Sequence, residues 1–104
     1  MNEYSWPPDY AADSKRAEEA WLATCISLPI GSLVTGTVIG RQPFGVFLKI
    51  DGVPDAVGLA EITALPSGSD LPRLHAQVSG EVIWHAEHNH QVRIRLTLPP
   101  SSTP

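Results

Sequence analysis

Residues 31–63, GSLVTGTVIGRQPFGVFLKIDGVPDAVGLAEIT, decide the fold. Between Leu33 and Arg41 the β-branched residues Val34, Thr35, Thr37, Val38 and Ile39 outnumber all others, a composition that suits a pleated strand. Gly36 interrupts that run. A missing side chain inside a strand marks a bulge or sharp bend, as small barrels need at their corners. Pro43 breaks the ladder, and residues 44–50 supply a second strand. Phe44 and Phe47 stand three apart, which on a regular strand sends them to opposite faces. A bulge at Gly45 would bring both rings to one surface.

Working outward, Asp51-Gly52 is a turn signal, and residues 53–62 read as a third strand entered through Pro54 at an edge or bulge. Residues 64–76 are a long connection with one short helical turn over 70–74. Residues 77–84 alternate Val78, Gly80, Val82 and Trp84 against Ser79, Glu81 and Ile83, the pattern of a fourth strand. A polar hairpin loop over 86–91 leads to the last strand, 91–98. There Val92, Ile94, Leu96 and Leu98 share the core face, while Arg93, Arg95 and Thr97 face out.

Ahead of the strands, Pro7 and Pro8 favour an extended chain, and residues 1–9 read as a flexible arm. The composition then turns helical, with Asp9 or Asp13 to cap the start and Pro29 to end it. Ala17, Trp21, Cys25 and Leu28 fall at helical spacing and predict one apolar stripe that covers an end or edge of the strands. The same helix offers a docking surface for a partner protein, with Trp21 as anchor.

The linked blocks of this sequence resemble the S1 RNA-binding domain family. The residues that carry the resemblance are Gly31, Val34, Gly36 and Val38; Phe44, Gly45, Phe47 and Leu48; residues 58–63, GLAEIT; and Arg93, Ile94, Arg95, Leu96 and Thr97. The match runs over residues 28–98. It implies an all-β domain with an added N-terminal helix, a five-stranded OB-fold (S1-like) β-barrel. The chain then divides into an acidic arm and amphipathic helix over 1–27, the barrel over 28–98, and a disordered tail over 99–104. In that family the two aromatics stack on bases and a basic residue opening the last strand meets the nucleic acid. The resemblance therefore places a single-stranded RNA site on Phe44, Phe47 and Arg93, with Arg41 and Lys49 widening the basic patch. Glu61 stands where the family usually has a histidine, and a carboxylate there repels the phosphodiester path. His85, Ala86 and Glu87 compete for the family's acidic position near the end of the fourth strand.

Composition bounds these expectations. The chain has 104 residues, 42% hydrophobic and 17% charged, one globular domain's worth. Net charge is −4, where an indiscriminate nucleic-acid binder carries a basic face. Residues 1–27 hold five acids against two bases, and the rest holds six against five, so the barrel itself is near neutral. Glu61, the acidic N-terminal segment and the negative net charge favour an alternative, an OB-fold protein-interaction module with weak or no RNA binding. Cys25 is the single cysteine, so no intrachain disulfide forms. No apolar run approaches the roughly 18 residues of a membrane span, and the first ten residues lack the marks of a signal peptide, which predicts a cytoplasmic protein.

His85, His88 and His90 beside Glu87 invite a metal reading. They form no closed ligand set, and the expectation is a solvated hairpin tip without metal or cofactor. No nucleophile elbow, phosphate-binding glycine loop or zinc-protease motif is present, so no enzyme is expected.

Overall fold

The structure, a computed structural model, describes residues 4–65 and 70–97. Two helices, α1 (Tyr10–Glu19) and α2 (Trp21–Ser27), precede five strands: β1 (Leu33–Gln42), β2 (Gly45–Ile50), β3 (Val57–Glu61), β4 (Gln77–Ala86) and β5 (Gln91–Leu96). The strands close into a barrel in the order β1-β2-β3-β5-β4. All pairs are antiparallel except β3 with β5, which is parallel. This is the expected OB-type barrel with an added helical segment. The tail over 99–104, Leu98 and the middle of the long connection lie outside the described residues.

β1 serves both neighbours, pairing with β4 from Leu33 to Thr37 and with β2 from Gly36 to Gln42. Gly36 is in register on both sides, opposite Ile50 and Val78, so it carries no bulge. A Cβ there would lie 2.6 Å from the Lys49 carbonyl oxygen; its role is close approach of backbones. The register shift of β1 falls between Val38 and Gly40 instead.

Inside the barrel Val38, Val46, Leu48, Ile50, Val82, Val92 and Ile94 form one cluster, joined by Trp21 and Leu28. A second cluster lies on the outer wall, where Phe47, Val57 and Leu59 pack with Ala17. The predicted single helix is therefore two. The chain breaks at Ala20, and its stripe divides: Ala17 of α1 covers the outer wall, while Trp21 and Leu28 meet the inner core. Asp9 holds the N-cap position without a side-chain cap hydrogen bond. Leu22 and Ile26 take the solvent side of α2, so an exposed face of that helix does not contain Trp21.

β3 begins at Val57, four residues later than predicted, because residues 51–55 stay in turns around Gly52 and Pro54. Ile62 leaves the strand for a 3-10 turn, Ile62–Ala64. The expected helical turn over 70–74 does not form; the turn here spans Arg73 to Ala76, closed by the Ala76 N–H on the Arg73 carbonyl. β4 runs on to Ala86, and a register shift between Val82 and Trp84 turns Trp84 out of the core set, opposite Arg93.

Candidate nucleic-acid interface

β2 turns Val46, Leu48 and Ile50 inward and Phe47 outward, as strand alternation requires. Phe47 opposes Leu59 of β3, Leu59 opposes Arg93 of β5, and Arg93 opposes Trp84 of β4. One row of side chains thus crosses the outer wall. Phe44 stands just before β2 in the turn with Pro43, so strand alternation does not bind it. Its carbonyl accepts from the Ile62 N–H, and its ring meets Phe47 edge-on, centroids 5.9 Å apart. The two rings share a surface without a bulge at Gly45. That glycine is required for another reason: a Cβ would come within 2.3 Å of the Ala60 carbonyl oxygen.

The pair is not open to water side by side. Phe47 is 1% exposed, against 43% for Phe44. Ala17 of α1 covers Phe47, and Tyr10 and Trp6 place their rings 5.2 and 5.6 Å from it. The expectation of two free rings is corrected to one, because the N-terminal segment lies on the wall that the strands alone would expose.

Residues 4–9 of the arm, expected to be flexible, are docked. Ser5 exchanges both backbone hydrogen bonds with Arg41, at 2.7 and 2.6 Å, adding a short bridge to β1. Pro7 is buried against Gly40, where a Cβ would sit 2.5 Å from the proline Cδ. Trp6 leaves the bridge half-exposed, its ring 6.1 Å from Phe44 and 5.1 Å from Tyr10.

The expected basic patch is largely engaged. Arg41 is buried; its guanidinium donates to the Pro72 and Leu71 carbonyls at 2.9 and 3.1 Å and lies over the Tyr4 ring. It fastens the long connection and the arm to β1 and widens no cationic surface. Arg93 pairs with Glu61 at 3.1 Å, and Arg95 with Glu81 at 2.7 Å. Lys49 is exposed at the far end of β2 and has no ion pair among the described residues. A near-neutral wall with one exposed lysine attracts phosphates weakly.

His85 and His90 serve packing. His85 Nε2 lies 2.7 Å from the Leu28 carbonyl oxygen, and the rings of His85 and His90 stand edge-on to Trp21 at 6.0 and 5.5 Å. His88 and His90 do not share a strand face, since residues 87–90 are the turn and His90 has φ +57°. Only His88 is fully exposed of the three. Among the described residues no group of three or more His, Cys, Asp or Glu is placed to hold a metal ion. Burial, and secondarily the Glu87 carboxylate, push the Cys25 thiol above its usual range, so it is a poor nucleophile.

Sequence reasoning missed two aromatics. Trp6 falls in the arm that the prolines predict to be flexible, and a Trp-Pro-Pro run gives no sign of where it docks. Alternation groups Trp84 with Val82 on one face of the strand, and the register shift after Val82 separates them; nothing in residues 77–86 marks that shift.

Among solved structures the chain is similar to RNase R of Mycoplasma genitalium in complex with ribose methylated single-stranded RNA. That match has a TM-score of 0.65 and 13% identity over 78% of this chain and 15% of that one. It is also similar to a multidomain protein with nucleic acid binding domains from Streptococcus pneumoniae, at 0.57 and 16% over 66% of this chain and 23% of that one. GSP13 from Bacillus subtilis matches at 0.51 and 23% over 74% of this chain and 60% of that one. The chain thus spans a small fraction of the first two. No protein-family model matches it, and no curated protein matches it in sequence. The class these matches and the strand order define is an S1-like OB-fold barrel, here with two N-terminal helices. The likeness is one of fold.

Proposed function

We propose that this chain is a binding domain for single-stranded RNA, without catalysis of its own, working through the outer wall of the barrel. The observation that carries the reading is Phe44: a large ring left half-exposed at the β1–β2 turn, held edge-on by a buried neighbour. A fixed exposed ring offers any unpaired base a π-face and loses little entropy on binding. Arg93 stands further along the same wall and Lys49 at the far end of β2, where they meet phosphates once Glu61 is compensated. The similarity in fold to an RNase R solved with single-stranded RNA supports the choice of ligand.

The test is a titration of labelled single-stranded RNA at low salt. Phe44→Ala should weaken binding by about fivefold or more, the lower end of what one stacked base contributes. Arg73→Ala, at an exposed position on the long connection, should leave it unchanged. Equal losses in both variants, or no binding by the unaltered chain at high micromolar RNA, would overturn the reading and leave the protein-interaction alternative.

A further inference from the structure

The wall that should receive bases carries a second half-exposed ring that belongs to no strand. Trp6 is 51% exposed, and its centroid lies 6.1 Å from that of Phe44. Both rings rest on Phe47, at 5.6 and 5.9 Å, and Tyr10 braces Trp6 from behind at 5.1 Å. We propose that Trp6 is a nucleobase-stacking residue: the arm replaces the buried Phe47 with its own indole, and Trp6 and Phe44 together form the platform that takes unpaired bases. This deepens the RNA-binding reading above and rests on it.

Two features argue that the arm is seated by design of the chain. The first is Gly40, on the outward side of β1. The three atoms nearest to a Cβ there all belong to Pro7, the closest at 2.5 Å, so the absent side chain is the seat of the proline. The second is the paired bridge between Ser5 and Arg41, which fixes the backbone on one side of Trp6 while Pro7 fixes the other. An indole held between two anchors loses little freedom when a base lands on it. Among amino-acid rings, indole also offers the largest stacking face.

An arm on a binding wall has an opposite reading, that of a cover which RNA must lift to reach Phe47. The two differ in sign. As a platform residue, Trp6 adds affinity, and its removal or displacement weakens binding. As a cover it competes, and the same changes strengthen binding.

The experiment uses the full chain and a labelled oligouridylate at low salt, with binding read by fluorescence anisotropy. Trp6→Ala removes the ring. Gly40→Val displaces Pro7 and unseats the arm while leaving every aromatic in the sequence. Urea unfolding of each variant confirms that the barrel persists. Both substitutions should weaken binding about fivefold or more, and Trp6→Tyr should restore most of it. Unchanged or tighter binding by Trp6→Ala, with Phe44→Ala still weakened, would overturn the role of Trp6 alone. An unaltered chain that binds no oligouridylate would sink the RNA reading and this inference with it.

Discussion

Glu61 and Arg93 close an ion pair across the outer wall, Oε1 to Nη1 at 3.1 Å, with Arg93 the more buried partner. The acid thus neutralises the one cation in the row Phe47, Leu59, Arg93 and Trp84. Removing the acid's charge releases the guanidinium for phosphate and deletes a nearby repulsion. Glu61→Gln is therefore expected to tighten RNA binding by about two- to fivefold at low salt, since half-exposed pairs are worth about 1 kcal/mol or less. The gain should fade as salt rises through a few hundred millimolar. Titrations at two ionic strengths check this. Weaker binding, or a gain that does not depend on salt, would show that Glu61 contacts the ligand in some other way.

The two phenylalanines divide stability from binding. Phe47 is enclosed by Ala17, Val57, Leu59, Tyr10 and Trp6, so Phe47→Ala leaves a cavity and costs about 3–5 kcal/mol. For a domain of this size that is a large share of its total stability. Phe44→Ala should cost about 1 kcal/mol or less while reducing RNA affinity. Urea midpoints of the two variants, set beside their binding curves, separate the roles. A midpoint for Phe47→Ala within error of the parent would contradict the cover that α1 provides.

The barrel was legible because its signals are local and redundant. Strand alternation, Pro43, Asp51-Gly52 and the linked glycine and aromatic blocks each point to the same five strands. The candidate site was only half legible. Alternation predicts on which face Phe47 emerges; it says nothing of what later covers that face. The covering segment comes from residues 4–19, and its contacts with Gly40, Arg41 and Phe47 are long-range pairings that no periodicity encodes. The same limit applies to Arg41, whose partners are carbonyls of Leu71 and Pro72 some thirty residues on.

With Arg41 buried, Arg95 on Glu81 and Arg93 on Glu61, few cations are left for phosphates. Binding should then depend only weakly on salt. One or two phosphate contacts give a slope of log K against log salt of about −0.7 to −1.4 for a single strand. Anisotropy titrations from low to physiological salt measure it. A slope steeper than about −3 would require more cations at the RNA than Arg93 and Lys49 supply.

The surroundings of Trp21 argue against a role as anchor for a partner protein. It joins the inner core with Leu28, is 8% exposed, and meets the rings of His85 and His90 edge-on. A side chain so placed holds α2 to the barrel. Trp21→Ala should cost about 3–5 kcal/mol, as for other large rings removed from a core. Trp21→Phe should retain much of that, since it keeps a ring among the same neighbours. Leu22→Ser, on the exposed side of the same helix, should leave the urea midpoint within about 0.5 kcal/mol of the parent. If Trp21→Ala and Leu22→Ser proved equally mild, α2 would be loosely attached, and Trp21 would again be available as an external contact.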